Sequence, residues 1–196
     1  MASAEVISIY KPNPDDMRRH VEFLFGGNVH GFQDGLIELA WTDAKPDAAG
    51  RYPLRHARLF GTDQIDELID EACRLNLNAK TNVYIGAALR HPHTAPFGRA
   101  KDEDFFAATT CWGDLDDQSS NTNAKHKFSH CPPSLAVCTG KYPHPRHQVW
   151  WRLEEPETRL DELERALRGI SCTMNGDPSV RSEEHTSELQ SHVRIS

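Results

Sequence analysis

Apolar residues recur along this chain with two periods, near two and near 3.6 residues, and the periods mark out the elements. The run Val6–Tyr10, VISIY, predicts a strand before the turn residues Lys11–Pro14. Pro14-Asp15-Asp16 then reads as a helix start, because proline suits the first turn and carboxylates suit the positive end of the helix dipole. Met17, Val21, Leu24 and Phe25 share one helical face, so the helix is predicted to about Phe25 and closed by Gly26-Gly27-Asn28. Gly35–Trp41 predicts a strand, Asp43–Tyr52 a loop rich in Ala, Gly, Pro and Asp, and Ala57–Phe60 a short strand. Thr62 stands where it would cap a helix over Gln64–Leu75, with Ile65, Leu68, Ile69 and Ala72 inward. Asn82–Ala87 predicts the next strand, and Arg90–Glu103 a long polar loop of the kind that often carries function.

The second half repeats the alternation. Ala107–Trp112 predicts a buried strand running into an acidic stretch, and Asp117–Pro133 is polar and Ser/Asn-rich at first. Leu135–Cys138 predicts a strand broken by Thr139-Gly140, followed by the basic loop Lys141–Arg146 and a strand over His147–Leu153. Thr158–Gly169 predicts a helix with Leu160, Leu163, Ala166 and Leu167 inward. Strands and helices interleave, so the class is α/β or α+β, with two βα units packed around one site.

Composition narrows the function classes. The 196 residues suffice for one large or two small domains with a real core. A formal charge of -7 excludes a chain that is basic overall and binds nucleic acid by charge alone. No apolar run has the length of a membrane span and no signal-peptide core is present, so we expect a cytoplasmic protein with no membrane partner. The five cysteines show no CxxC pairing, which fits reduced thiols.

The end of the chain stands apart. Arg181–Ser191, RSEEHTSELQS, matches codon by codon the translation of a common sequencing adapter. We therefore expect residues 181–196 to be a non-native, disordered tail, and the chain to be an N-terminal fragment whose own sequence stops near Val180.

The stretch AATTCWGDLDD carries the first candidate chemistry. In a strand, Asp114 and Asp116 at i and i+2 point the same way. Two carboxylates on one face do not both ionise cheaply without positive charge between them. An oxygen-seeking divalent cation, Mg²⁺ or Mn²⁺, would supply it. An ordinary acidic turn after a strand remains the alternative.

The ordered set of motifs resembles the archaeo-eukaryotic primase superfamily, in particular the RepB-like and primase-polymerase domains of plasmids and phages. Three pieces carry the resemblance: the strand ending in WGDLD; the strand LAVCTG with KYPHPRH and the aromatic strand QVWWRLEEP; and the late aspartate Asp177 in GDPSV. The spacings, 31 residues from Asp116 to His147 and 30 from His147 to Asp177, look like the family's. So does VYIGAALR, the strand ending in Arg90 before the first motif.

The resemblance implies an α+β fold, an α/β two-unit primase-polymerase core with an RRM-like sheet carrying the active site. Residues 1–80 would form the N-terminal αβ unit and 81–180 the RRM-like unit. It implies template-directed nucleotidyl transfer in plasmid or phage replication, as DNA primase or primase-polymerase, with a two-metal mechanism. Asp114, Asp116 and Asp177 would hold Mg²⁺ or Mn²⁺. The family's histidine contacts nucleotide phosphates; here the loop is longer than the family's and carries both His144 and His147, and we expect His147 from its place at the strand start. Thr139-Gly140, Arg146, Lys141 and Arg90 are further candidate nucleotide contacts. Single-stranded DNA template and NTP or dNTP are the implied partners, with a helicase domain beyond the fragment or in trans.

Other readings are weaker. His126, His130 and Cys131 lack zinc-finger spacing, so no zinc is expected. Asp117 reads as a turn or cap residue. His91-Pro92-His93 reads as a solvated loop, and Glu154-Glu155 with Arg152 as a solvated strand end. Trp150-Trp151 reads as packing, one ring inward and one outward. A non-catalytic module binding an origin of replication needs no DxD pair. A metal-dependent nuclease or relaxase could use the same Asp/His set, but relaxases usually need a tyrosine nucleophile and a histidine cluster, and only Tyr142 lies near the expected site.

Overall fold

The helix read from Pro14 forms because its first turn is satisfied from outside. In the computed structural model, α1 (Pro14–Phe25) is capped by Asn13, whose side chain accepts from the backbone N–H groups of Asp15 and Asp16. Met17, Val21, Leu24 and Phe25 are buried along the predicted face, together with His20. The structure describes residues 13–174 except 28, 30, 79–80, 117 and 141–143, and also 186–188, without the side chains of 123, 125, 139, 140 and 186–188. The expected strand Val6–Tyr10 lies outside the described residues, as do Asp117, Lys141 and Asp177.

The elements continue as β1 (Leu36–Thr42), β2 (Leu54–Gly61), α2 (Ile65–Asn76), β3 (Val83–Gly86), β4 (Leu89–Arg90), a 3₁₀ turn at Asp102–Asp104, β5 (Phe105–Leu115), α3 (Gln118–Lys127), β6 (Leu135–Gly140), β7 (Arg146–Glu157), α4 (Leu160–Met174) and β8 (Thr186–Glu188). The pairings are antiparallel and the strand order is β6-β7-β5-β4-β1-β3-β8, with β2 on β1. The class is α+β. β5 is the spine: it pairs with β4 near its start and with β7 along the rest.

Alternation along β5 sorts the helices to the two sides of the sheet. Trp112 packs on Trp150, and Trp150 meets His20 of α1 edge-on, each pair with ring centroids 5.5 Å apart. α2 lies beside α1, with Cys73 against Met17. One residue on from Trp112, the opposite side is covered: a Cβ on Gly113 would stand 2.9 Å from Ile170 Cγ2 of α4. Leu115 and Val149 pack there with Ala124 of α3 and Met174 of α4. Only glycine lets α4 come this close to β5, one residue from Asp114.

Several sequence expectations are corrected. Thr62 does not cap α2; its hydroxyl donates to the Gln33 carbonyl at 2.6 Å, tying the helix approach to an earlier loop. α3 forms within the polar stretch Asp117–Pro133, where the sequence marks no element. α4 runs past Gly169 to Met174 and turns Ala166 outward, with Ser171 and Met174 buried instead. Thr139-Gly140 does not break β6 after Cys138 but continues it: Cys138 pairs with His147 and Gly140 with Arg146, so Thr139 is the extra residue of a bulge. Arg152 is not solvated; it donates to the Phe23 carbonyl and lies 4.7 Å over the Phe23 ring, fastening β7 to α1. Trp150 is fully buried while Trp151 is half-buried against Phe128, as expected of that pair. Within the segment expected to be a disordered tail, Thr186–Glu188 pair with β3 as β8. The free edge of β3 offers main-chain groups that accept any extended backbone, whatever its side chains.

Candidate active site

Asp114 is the last-but-one residue of β5 and is half-buried; Asp116 follows the strand end and is exposed. In the β5–β7 ladder, Gly113 faces Val149, Asp114 faces Gln148, and Leu115 faces His147. Residues directly opposite in an antiparallel pair share a face. Asp114 and Gln148 therefore share the side that also carries Trp112 and Trp150, where α1 covers the sheet. Val137 of β6, paired with Gln148, completes this row and is buried.

His147 is on the other side. It pairs with Leu115, and its Nδ1 lies 2.8 Å from Asn121 Oδ1 of α3. His147, expected at a nucleotide phosphate, lies one residue before Gln148, and that one-residue step sets it on the face opposite Asp114. His144 comes nearer, with Nε2 2.5 Å from the Asp116 carbonyl oxygen. That oxygen only accepts, so His144 donates.

Arg90, a candidate nucleotide contact, lies far from Asp114 and is bonded to a buried carboxylate. It pairs with Phe105 at the far end of β5, nine residues and about 30 Å from Asp114. Its guanidinium is 3% exposed and lies 3.0 Å from Glu38 Oε2, while Arg99 Nε reaches Glu38 Oε1 at 2.8 Å. The Ala100 N–H donates to the same Oε1 at 3.1 Å. This buried cluster fastens the loop after β4, whose backbone also bonds to β2 at Pro96–Leu59 and Gly98–Ala57.

Of the remaining candidates, those among the described residues lie near the β6–β7 turn. Arg146 begins β7 and is exposed, and Thr139 and Gly140 end β6 opposite it. Lys141 and Asp177 lie outside the described residues. Gln148, which is 9% exposed, stands beside Asp114 and is not singled out by any motif in the sequence. A glutamine within an apolar strand was the available signal, but register decides its face. Cys111, three residues before Asp114, is no nucleophile: burial, with Glu157 adding to it, pushes its thiol up to about 11.

Among the described residues, no three His, Cys, Asp or Glu side chains converge into a metal-binding group. The two carboxylates still fit Mg²⁺ or Mn²⁺ as a donor set: both are hard oxygen ligands at one strand end. Mg²⁺ is usually held by one or two carboxylates together with substrate phosphates. Among the same residues no helix is long and apolar enough to cross a membrane.

The three-dimensional comparison decides the fold. The chain superposes on a crystal structure of primase RepB′ with a TM-score of 0.53 at 15% identity, over 91% of this chain and 51% of that one. It also superposes on the AEP domain of the cyanophage S-2L primase-polymerase with a TM-score of 0.56 at 12% identity, over 93% of this chain and 87% of that one. The fold is that of the primase-polymerase domain. This chain spans about half the length of the RepB′ chain. No family model and no curated protein matches the sequence.

Proposed function

We propose that the chain is the catalytic core of a DNA primase or primase-polymerase, joining nucleotides on a single-stranded DNA template. The observation that carries this reading is the ladder register that sets Asp114 across from Gln148 at the strand end of a primase-polymerase fold. An acidic residue and an amide on one sheet face offer an anionic anchor for a divalent cation and a neutral donor for a phosphate oxygen.

Asp114 and Asp116, with Asp177, would hold Mg²⁺ or Mn²⁺, which neutralises developing charge on the attacking and leaving oxygens. The primer 3′-oxygen bonds to the α-phosphorus, pyrophosphate leaves, and the hydroxyl proton passes to solvent. The protein's part is positioning. Gln148 donates an amide N–H to a phosphate oxygen. Arg146, Lys141 and the backbone at Thr139-Gly140 bind the outer phosphates. His144 holds the Asp116 turn in place rather than touching the nucleotide.

A non-catalytic module that binds DNA for replication initiation has no use for an acidic pair facing an amide. Synthesis of labelled product on a single-stranded template with Mn²⁺, lost in Asp114→Asn, supports the catalytic reading. Equal synthesis by the variant contradicts it.

A further inference from the structure

α3 is an unusual helix for this core. Its sequence, QSSNTNAKHK, has one alanine and no larger apolar residue, and among its described residues those fully buried are Ser120 and Ala124. Burial of apolar surface does not explain why it packs beside the site. Its polar side chains do.

Asn121 bonds to three residues in two other parts of the chain. Its Nδ2 donates to the Leu115 carbonyl at 3.1 Å, the residue between the two aspartates. The same nitrogen donates to the Pro145 carbonyl at 2.9 Å, at the end of the β6–β7 loop. Carbonyls only accept, so these bonds fix which end of the amide is which. Oδ1 therefore faces His147 Nδ1 at 2.8 Å, and that nitrogen carries the proton and donates. The His144–Asp116 bond is a second tie between the same loop and the same acidic turn.

We propose that Asn121 is a positioning residue: it locks the Asp114–Asp116 turn to the β6–β7 loop, so that carboxylates and loop meet an incoming nucleotide as one preset surface. The inference rests on the reading of these two segments as the nucleotide site. It makes Asn121 act through others, without contact to the substrate. Its loss then weakens nucleotide binding and leaves the chemical step nearly intact, the pattern of an interaction shared by ground and transition states.

The test uses the full chain, dATP with Mn²⁺, and two readouts: dATP affinity by equilibrium dialysis, and primer-extension kinetics. Asn121→Leu is expected to weaken dATP binding and raise its KM by about tenfold, the scale of a lost outer-shell hydrogen bond, with kcat within about twofold. Mn²⁺ binding without nucleotide is expected to change less than about twofold, since both carboxylates remain. A dATP affinity unchanged in the variant overturns the proposal, even if thermal stability falls. If Asn121→Leu does not fold, Asn121→Ala is judged by the same affinities. Wild type that binds dATP without extending a primer overturns the polymerase reading, while the comparison of affinities still decides the role of Asn121. Wild type that binds no dATP overturns both.

Discussion

Gln148 stands directly across from Asp114 on one face of the β5–β7 ladder, while its neighbour His147 turns to the other face and bonds to Asn121. The pairing predicts which of the two matters for the nucleotide. Gln148→Leu is expected to lower kcat/KM for dNTP by about 10- to 100-fold, the cost of a lost hydrogen bond to a charged group. His147→Leu is expected to cost less, since it removes one arm of the Asn121 clamp. Steady-state primer extension compares them, and a larger loss in the His147 variant contradicts the assignment. A glutamine also carries no proton to titrate, so the pH–rate profile is expected to change little between wild type and His147→Leu.

Arg90 is expected to matter for stability instead of binding. Glu38 is fully buried between Arg90 and Arg99, and removing one partner leaves a buried carboxylate short of charge. Arg90→Ala is expected to destabilise the fold by about 3–5 kcal/mol in urea titration. A variant of wild-type stability with weakened dNTP binding would restore Arg90 to the site.

Much of this fold is legible in the sequence because the signals are local. Met17, Val21, Leu24 and Phe25 repeat at helical spacing, and the strand before Asp114 is a plain apolar run ending in acid. What is not legible depends on register and distant partners. Nothing local says that Gln148 rather than His147 faces Asp114, because a one-residue shift exchanges them. Nothing local says that Arg90 is committed to Glu38, 52 positions away. α3 has no apolar period to read, because carbonyl partners on two other elements hold Asn121 in place.

Gly113 sets the distance between α4 and the strand that carries Asp114. Ile170 leaves no room for a Cβ, and a β-branched side chain has little freedom to withdraw. Gly113→Ala is expected to cost about 1–3 kcal/mol by overpacking. Adding Ile170→Ala is expected to return part of that loss in a double-mutant cycle; strictly additive losses would show that the contact is not the cause.

His20 gives the fold a sensitivity to acid. It is fully buried against Trp150, neither ring nitrogen has a hydrogen-bond partner among the described residues, and burial lowers its pKa to about 4. The unfolded chain, with an imidazole near 6.5, therefore binds the proton more readily. Its contribution is fully present above pH 6.5 and is lost as pH falls towards 4, by about 3 kcal/mol in all. His20→Leu is expected to flatten stability between pH 6.5 and 4 in urea titrations, and an unchanged slope would place the acid sensitivity elsewhere.

The central claim is that Asp114 and Asp116 run metal-dependent nucleotide transfer. Its most direct test is primer extension on a single-stranded DNA template with Mg²⁺ or Mn²⁺ and all dNTPs, wild type against Asp114→Ala/Asp116→Ala, with DNA binding measured in parallel. The account predicts metal-dependent extension by wild type, lost in the double variant while DNA binding persists. Extension that survives the double substitution, or wild type that binds DNA and extends nothing, would contradict it.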